Sequence, residues 1–586
     1  MKKIMNSPET IVAEMCEGIA LVYPELEYNN KYRFIKKKNI NQNKVSLISG
    51  GGSGHEPAHA GFVGRGMLDA AVCGDVFASP SQIQVYQALR AAKSDKGTLM
   101  IVKNYSGDMM NFKNAAYLAE EDGITVDYVK VDDDIAVQDS LYTVGRRGVA
   151  GTVLIHKIAG AAAQAGGTLE QVKGAAELAV LNTKSIGFAL SSCTVPAKGT
   201  PTFQIGEDEM EYGVGIHGEP GIRREKTVSA DDLARRTVEA LFKELDINGD
   251  EEITLLINGF GSTPLMELYV LNRAVRKVIS EKKVSVYRSF VGNYMTSIDM
   301  LGASVTVMKM NDSLKKLLDM ESDAPAFKIN GAVEKTSYSD ITAVPDSGSR
   351  DSGKAGLGKG DGLVRENQIT VSNLVYIVDR MCGCIIKNEI RFCDLDAYAG
   401  DGDFGMSIAK GFRQLRREWN QITSEHAEDI GSFLNACAMI IMEYCGGASG
   451  PIWGAAFRAA AKTAGDSKVL HIGEFAELME AAVEGIQKIG QRSFGRGARV
   501  GDKTLIDALV PCADMWKRCA AEGTDMKAAF IRAAEAAVEG ARSTEAIAAR
   551  MGRAGTVGER SIGYPDAGAY ALGVIFTDIA EALEFI

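Results

Sequence analysis

The chain has 586 residues, of which 46% are hydrophobic and 24% are charged, and its formal net charge is −11. This length predicts two or more domains with sizeable cores, and the composition is typical of a globular protein. The negative charge argues against a general nucleic-acid surface.

The apolar runs and the cysteines indicate which compartment and which partners to expect. No apolar run reaches the length of a membrane span, and the first six residues lead into no signal-peptide core. The ten cysteines are scattered, and the Cys-Gly-Cys at 382–384 lacks the paired spacing of a zinc site. These features predict a cytoplasmic protein with reduced thiols that binds neither membrane nor nucleic acid.

Short apolar runs alternate with helical patterns in the first half of the chain. The predicted strands include 45–48, 98–102 and 253–257, and the predicted helices include 83–92 and 111–121. This alternation predicts α/β layers around a largely buried sheet.

A glycine-rich segment, Gly-Gly-Gly-Ser-Gly-His-Glu-Pro-Ala-His at 50–59, follows the first of these strands. It is not a P-loop, because no Gly-Lys-Ser/Thr closes it, and no register gives a dinucleotide fingerprint. His55 and His59 have the spacing of a zinc-protease helix, but Pro57 predicts that a helix begins after His55, so we do not predict a zinc site. The segment is then interpreted as a backbone cradle for a small polar ligand at a strand end.

Two later segments carry side chains that suit catalysis. Lys103 and Asp108 follow the strand at 98–102, although both could be ordinary surface charges. His217 is flanked by four glycines within residues 213–221, which leave its ring little cover. A neutral imidazole there could act as a base, a metal ligand or a nucleophile toward a carbonyl. The alternative is a turn histidine without a role.

The second half of the chain has a different pattern. Residues 346–362 include six glycines and predict a flexible linker that spans on the order of 23 Å. From residue 367 onward, Ala-rich helical patterns replace the strand patterns, and apolar residues at 408, 412, 415 and 419 form one face of a helix. This half is therefore predicted to be an all-α domain.

Four aspartates fall within ten residues, at positions 394, 396, 401 and 403. Carboxylates this close repel one another unless a cation or several donors neutralise them, and oxygen ligands of this kind suit Mg²⁺ or Ca²⁺. An EF-hand loop does not fit, because Ala399 and Gly405 stand where its Gly and Glu belong. An acidic, solvated loop that caps the next helix is the alternative.

Together these segments resemble the dihydroxyacetone kinase family. Residues 1 to about 335 resemble its ketose-binding K domain, and residues from about 367 to 586 resemble its nucleotide-binding L domain. The motifs that carry the resemblance are those at 50–61, 71–80, 103–108, 215–221 and 293–297 in the first part, and at 396–403, 446–451, 501–504 and 558–563 in the second. The resemblance implies an α/β K domain of two lobes (1–335), a flexible linker (336–366) and an all-α helical-barrel L domain (367–586).

The resemblance also implies roles for individual residues. The implied catalytic residues are His217, which would form a covalent hemiaminal with the ketose, and His55 and Asp108, which would activate the accepting hydroxyl. Substrate binding is implied for Gly52, Ser53, Gly54, His55, Lys103 and Asp108. Asp396, Asp401 and Asp403 would hold Mg²⁺ beside the ATP phosphates. The residues implied to line the nucleotide are Phe404, Gly405, Met406, Ser407, Ala448, Ser449, Thr504, Leu505, Arg553, Asp566, Ala567 and Gly568.

The implied activity is ATP-dependent phosphorylation of dihydroxyacetone, in glycerol metabolism, by a cytoplasmic homodimer. Fusion of the two domains in one chain favours ATP over a phosphocarrier as the donor. Erythrulose or glyceraldehyde as the substrate, FAD cleavage in the nucleotide site, and a non-catalytic sensor of ketose and ADP remain alternatives. Phe404 stands where relatives more often have a small or polar residue. Tyr564 stands where many have His, and it is given no role.

Overall fold

The computed structural model describes residues 2–137, 145–342, 362–551, 555 and 558–586. Its packing divides the chain into two compact units, Met1–Pro345 and Asp346–Ile586. The first unit is α/β and the second is almost entirely helical, which confirms the predicted fold class. Within the predicted linker, residues 343–361 lie outside the described residues, and the described remainder contains a short helix and a two-residue strand.

The first unit contains two six-stranded sheets and a small hairpin. Its elements are α1 (Ile11–Val22), β1 (Leu26–Asn29), β2 (Phe34–Lys37), β3 (Ser46–Ser53), β4 (Ala70–Val76), α2 (Gln82–Ala92), β5 (Thr98–Lys103), α3 (Ser106–Glu121), β6 (Val126–Val131), α4 (Thr152–Gln164), α5 (Leu169–Leu181), β7 (Thr183–Ala189), β8 (Glu209–Tyr212), β9 (Arg223–Lys226), α6 (Ala230–Leu245), β10 (Glu252–Gly259), α7 (Leu265–Glu281), β11 (Ser285–Gly292), β12 (Gly302–Lys309), α8 (Asp312–Asp319), β13 (Ser322–Ala324), β14 (Phe327–Ile329) and α9 (Tyr338–Thr342).

The first sheet has the strand order β1-β2-β4-β3-β5-β6. Strands β4, β3, β5 and β6 are parallel, so their carboxyl ends lie along one edge. Successive residues of a strand face opposite sides of the sheet. Accordingly Met100 and Val102 pack with α2 and α3, while Leu99 and Ile101 pack with α4 and α5. Helices thus cover both faces, which leaves the edge at the carboxyl ends as the place for polar side chains.

The second sheet has the strand order β11-β10-β12-β7-β8-β9. Only β10 and β11 are parallel, and the other neighbours are antiparallel. Helices α6 and α7 pack on one face through an apolar cluster that includes Leu241, Val275 and Val305. Two of its loops matter for function: the β8–β9 loop carries His217, and the β11–β12 loop carries Thr296.

The predicted strands and helices of the first unit lie within β3, β5, β10, α2 and α3, except that β3 begins at Ser46, one residue later than predicted. Strand β3, however, continues through the glycines to Ser53. The predicted helix beginning near Pro57 is wrong, since the segment forms only a three-residue 3-10 turn at Ala60–Phe62. The reason is close packing on the β13–β14 hairpin: a methyl group on Gly64 would lie 2.2 Å from the Asp323 carbonyl oxygen.

The second unit is a closed barrel of helices. Its elements are β15 (Leu363–Val364), β16 (Ile369–Thr370), α10 (Val371–Lys387), α11 (Glu389–Asp396), α12 (Phe404–Arg417), α13 (Trp419–His426), α14 (Ile430–Tyr444), α15 (Ser449–Ala464), β17 (Val469–Leu470), α16 (Ile472–Phe494), α17 (Ile506–Glu522), α18 (Met526–Ser543), α19 (Ala567–Ala582) and β18 (Glu584–Phe585). Helices α10, α12, α14, α15, α16, α17, α18 and α19 contact one another in this order, and α19 packs back against α10.

Apolar side chains fill the barrel. Phe475, Trp516 and Phe530 pack ring to ring, and a cavity of about 130 Å³ remains among the apolar side chains. The all-α prediction is correct apart from four two-residue strands, which pair as β15–β18 and β16–β17. Among the described helices of both units, none is long and apolar enough to cross a membrane.

Candidate active site

The ends of parallel strands in the first sheet gather the predicted substrate-binding residues. Strand β3 ends at Ser53, and β5 ends at Lys103, which is almost fully buried. Asp108 lies in the first turn of α3, and its Oδ2 is 3.4 Å from the Lys103 Nζ. A methyl group on Gly51 would lie 2.4 Å from that Nζ, so only glycine lets the ammonium group approach the strand. The structure therefore brings Lys103 and Asp108 together beside Gly51, while the Ser53 hydroxyl donates to the Gly74 carbonyl oxygen at 2.8 Å.

The two predicted histidines meet although they are 162 residues apart. The Nε2 atoms of His55 and His217 are 3.1 Å apart, and the Nδ1 of His55 donates to the Thr296 carbonyl oxygen at 2.8 Å. His55 is fully buried, and burial, followed by the His217 ring and Lys103, holds its pKa well below 6.5. His55 is therefore a neutral imidazole that can accept a proton from its neighbour.

Aromatic rings enclose His217 more than its glycine-rich surroundings suggest. The rings of Phe77 and Tyr105 meet the His217 ring edge to face, with centroids 5.0 and 4.8 Å away, and Phe77 also stacks on His55. Phe77 is held at φ 60°, a left-handed conformation that is uncommon outside glycine. The hydroxyl of Tyr105 and the Oδ1 of Asp108 are buried and have no hydrogen-bond partner among the described residues. Buried polar atoms of this kind are available to a ligand.

Glu219 completes this cluster and was not predicted. Its Oε1 accepts from His217 Nδ1 at 2.8 Å, and its Oε2 accepts from the His217 backbone N–H at 2.9 Å. Burial raises the pKa of Glu219, but the His217 ring, its hydrogen bond and Arg147 together lower it to about 2. The carboxylate is therefore ionised. The sequence signal was its position two residues after His217 in a tight glycine-rich loop, where a side chain can turn back on the preceding residues.

The hydrogen bonds constrain the tautomers of the histidine pair. Each Nδ1 faces an acceptor and so carries a proton, and a hydrogen bond between the two Nε2 atoms requires one shared proton. Burial disfavours positive charge on His55, and the ionised Glu219 carboxylate lies on the His217 side of the pair.

A second buried histidine pair lies outside this cluster. His59 Nδ1 and His156 Nε2 are 3.0 Å apart, and both residues are buried. They do not lie on one helix, and in the described part of the chain the only group with metal-ligand geometry is an aspartate triplet. Burial, followed by Lys103, lowers the pKa of His156 to about 3.

This pair predicts a loss of stability in acid. Between pH 6.5 and about 3 the unfolded chain protonates His156 and the folded chain does not. The free energy of unfolding of the first unit should therefore fall as the pH falls, by up to about 1.4 kcal/mol per pH unit for each such histidine. Replacing His156 with glutamine should reduce this slope, as measured by urea unfolding at pH 7, 6 and 5.

Circular dichroism suits this measurement, because it reports on both units, while all three tryptophans lie in the second unit and report on it alone. The control is His426→Gln, which changes an exposed histidine of the second unit. An unchanged pH dependence in His156→Gln would refute the assignment of His156 as a buried neutral group.

The second unit contains the predicted metal ligands. Asp396, Asp401 and Asp403 each offer a carboxylate oxygen, and these oxygens lie within 4.8 Å of one another. The Asp396 Oδ2 also accepts from the Asp403 backbone N–H at 3.1 Å, which folds the loop back on the end of α11. Three converging, partly solvent-accessible carboxylates fit a hard cation such as Mg²⁺ that keeps positions open for phosphate oxygens. Asp394 is exposed and lies outside this triplet.

The predicted nucleotide-lining segments lie at the beginnings of alternate barrel helices. Phe404, Gly405, Met406 and Ser407 open α12, Ala448 and Ser449 open α15, Thr504 and Leu505 precede α17, and Asp566, Ala567 and Gly568 open α19. The Gly446 N–H donates to the Ser407 carbonyl oxygen, and a methyl group on Gly568 would lie 3.1 Å from the Leu505 Cβ. Arg553 lies outside the described residues. Backbone N–H groups at helix N-termini favour phosphate, so this end suits a nucleotide.

Phe404 and Tyr564, the two positions at which this chain departs from the family pattern, contact aromatic neighbours at this end of the barrel. The ring of Tyr564 stacks on Tyr398 of the aspartate loop, the segment 397–403 between α11 and α12, with centroids 3.6 Å apart. The ring of Phe404 packs 6.1 Å from that of Phe392, which also contacts Tyr570. The first contact joins the aspartate loop to the segment before α19. The second group of contacts joins α12 to the first turn of α19 through Phe392.

Lys503 holds three loops of this end together. It is almost fully buried, and its Nζ donates to the carbonyl oxygens of Thr544, Ile547 and Tyr564 at 2.6, 3.1 and 2.7 Å. One cation therefore fixes the segment before α17, the segment after α18 and the segment before α19. The sequence contained Lys503 in a motif but did not reveal this positioning role.

Replacing Lys503 with methionine should weaken nucleotide binding by about 10- to 100-fold. Three buried carbonyl groups would lose their donor, at a cost of about 1–3 kcal/mol in loop order. Titration calorimetry with a non-hydrolysable ATP analogue and Mg²⁺ measures the affinity. Lys488→Met, on the exposed face of α16, is the control. Equal affinities in the two variants would contradict this role of Lys503.

Comparisons with known proteins agree with this arrangement. Residues 17–326 match the Dak1 domain, and residues 398–581 match the DAK2 domain. The chain is 32% identical to triokinase/FMN cyclase of Mus musculus and 33% identical to D-erythrulose kinase of Mycolicibacterium smegmatis, covering 100% of this chain and 99% of each relative. The solved dihydroxyacetone kinase of C. freundii in complex with AMP-PNP and Mg²⁺ is 29% identical, with 99% of each chain covered and a TM-score of 0.58. The chain therefore belongs to the dihydroxyacetone kinase family.

Proposed function

We propose that the chain transfers the γ-phosphate of ATP to dihydroxyacetone, which it holds as a covalent hemiaminal on His217. The observation that carries this proposal is the His55–His217 contact inside a buried aromatic enclosure, beside Lys103 and Asp108. A nucleophilic imidazole next to a neutral proton acceptor suits addition to a carbonyl. Glycerol has no carbonyl, so the same chemistry would exclude it.

The capture step follows from the proton positions. His55 takes the proton from His217 Nε2, and this nitrogen then forms a bond to the carbonyl carbon. The C=O π bond breaks, and His55 returns the proton to the oxygen, so that the hemiaminal carries a hydroxyl group and the positive charge stays on the substituted His217 ring, beside Glu219. Reversal of these steps releases the product.

The transfer step needs an acceptor for the hydroxyl proton and a cation at the phosphates. Asp108 accepts the proton of the free hydroxyl, whose oxygen attacks the γ-phosphorus while the bond to ADP breaks. Lys103 stabilises the Asp108 carboxylate at 3.4 Å and offers positive charge near the attacking oxygen. Asp396, Asp401 and Asp403 would hold Mg²⁺, which when bound neutralises charge on the phosphates.

The division of labour follows the predicted domains. We propose residues 1–335 as the ketose-binding domain, 336–366 as the linker and 367–586 as the Mg-ATP domain. The homodimer, the cytoplasmic location and the place in glycerol metabolism stay predictions.

Consumption of ATP, coupled to ADP detection, tests the proposal with dihydroxyacetone, glycerol, D-erythrulose and glyceraldehyde as acceptors. We expect turnover with the carbonyl compounds and little with glycerol, and the highest kcat/KM with dihydroxyacetone. Turnover with none of the carbonyl compounds would favour the sensor of ketose and ADP instead.

Two relatives motivate a second candidate for the same machinery. One is named D-erythrulose kinase, and the other is named triokinase/FMN cyclase. A kcat/KM for erythrulose above that for dihydroxyacetone would identify erythrulose as the preferred substrate. Incubation with FAD, followed by chromatography for a cyclic FMN product, tests the cyclase activity separately.

A further inference from the structure

The loop that carries His217 is built around one buried carboxylate. Glu219 accepts hydrogen bonds from both the backbone N–H and the ring Nδ1 of His217, at 2.9 and 2.8 Å. The two donors belong to the same residue, so the carboxylate fixes the direction of the ring relative to its own backbone. With Nδ1 occupied, Nε2 is the only ring nitrogen that can reach a ligand.

A second buried charge supports this carboxylate. Arg147 is fully buried, and its Nε and Nη2 donate to Asp134 Oδ2 and to the Gly213 carbonyl oxygen at 2.7 and 2.9 Å. A methyl group on Gly215 would lie 2.1 Å from Glu219 Oε2 and 2.5 Å from Arg147 Nη1, so this glycine lets both groups approach the loop. Arg147 also helps to keep the pKa of Glu219 low.

We propose that Glu219 is a positioning residue of the reaction: it selects the His217 tautomer whose Nε2 attacks the carbonyl, and it balances the positive charge that forms on that ring. This inference rests on the proposed covalent capture of the ketose. It adds a residue that does not touch the substrate and that acts through His217.

Replacement by glutamine is the sharpest change, because the shape is kept. His217 presents two donors, and a carboxylate offers two acceptors, whereas an amide offers only one and adds a donor. In Glu219→Gln the amide NH₂ group faces one of the two donors of His217. Either the backbone N–H loses its acceptor, or Nδ1 gives up its proton and the ring adopts the tautomer with the proton on Nε2. We expect adduct formation and kcat with dihydroxyacetone to fall by at least about 100-fold. Glu219→Asp keeps both acceptors and the charge, so it should retain more activity than the Gln variant.

The matched control is Glu211→Gln. Glu211 is also buried and also binds the same loop, but its oxygens accept from the Gly221 N–H at 2.9 Å and from Arg224 Nε at 3.2 Å, not from His217. We expect this variant to keep adduct formation within about threefold of the wild type, since its remaining amide oxygen can still accept from Gly221.

A spectroscopic readout separates positioning from general damage to the fold. The chain has only six histidines, so ¹⁵N-histidine labelling of the full protein gives a sparse spectrum in which His217→Ala identifies one residue. The inference predicts a protonated Nδ1 on His217 in the wild type and a changed pattern of ring-nitrogen shifts in Glu219→Gln. The four histidines other than His217 and its contact partner His55 should be unchanged.

Three results decide the matter. An adduct in the wild type and in Glu211→Gln, with loss of the adduct and altered His217 shifts in Glu219→Gln, supports the inference. An adduct that forms in Glu219→Gln as fast as in the wild type, with unchanged shifts, overturns it while the proposed capture stands. No adduct in the wild type overturns both the capture and this role of Glu219.

Discussion

Asp403→Asn should abolish phosphoryl transfer while ketose capture stays intact. The carboxylate belongs to a triplet whose oxygens converge within 4.8 Å in the second unit, while His217 lies in the first. Loss of one charged ligand weakens the hold on Mg²⁺, and with it the neutralisation of charge on the transferred phosphate. We expect kcat to fall by at least about 1,000-fold, which corresponds to roughly 4 kcal/mol.

A neighbouring aspartate provides the control for this experiment. Asp394 is exposed and lies near the end of α11, outside the triplet, so Asp394→Asn removes an equal charge close to the site without removing a ligand. Coupled ADP detection measures kcat, and mass spectrometry measures the ketose adduct. Normal ATP turnover in Asp403→Asn, or an equal loss in Asp394→Asn, would contradict the metal assignment.

His217→Ala should remove most of the preference for ketones over polyols. Without the imidazole, dihydroxyacetone can be held only through hydroxyl contacts, which glycerol can also make. Loss of a covalent anchor costs both binding and orientation, so kcat/KM for dihydroxyacetone should fall by at least about 1,000-fold. The residual activity should approach that with glycerol.

Parallel assays with dihydroxyacetone and glycerol measure this loss, and His426→Ala, at an exposed position of the second unit, is the control. A His217→Ala enzyme that still rejects glycerol as strongly as the wild type would show that discrimination has another source.

Local sequence patterns predicted the parts of the site that are close in sequence. Asp396, Asp401 and Asp403 fall within eight residues, so the tight Gly-Asp-Gly turn between them had to bring their carboxylates together. Lys103 was located at the end of a strand because an apolar run and a helical pattern flank it. The fold class followed for the same reason, since strand and helix periodicities are local properties.

The contacts that join distant segments could not be predicted in this way. His55 and His217 meet only because one lies beyond β3 of the first sheet and the other in the β8–β9 loop of the second. Thr296, which orients His55, comes from a third loop. The helix predicted near Pro57 failed for a related reason: packing of the segment on a hairpin more than 250 residues away overrode its local signal.

Mass spectrometry under native conditions, with the protein saturated with dihydroxyacetone, tests the central claim most directly. The wild type should gain the mass of one triose per chain, the gain should map to the peptide that contains His217, and it should vanish in His217→Ala. Saturation with glycerol should give no gain in either protein. A wild-type protein that phosphorylates dihydroxyacetone and rejects glycerol, yet never carries the added mass on His217, would contradict covalent capture.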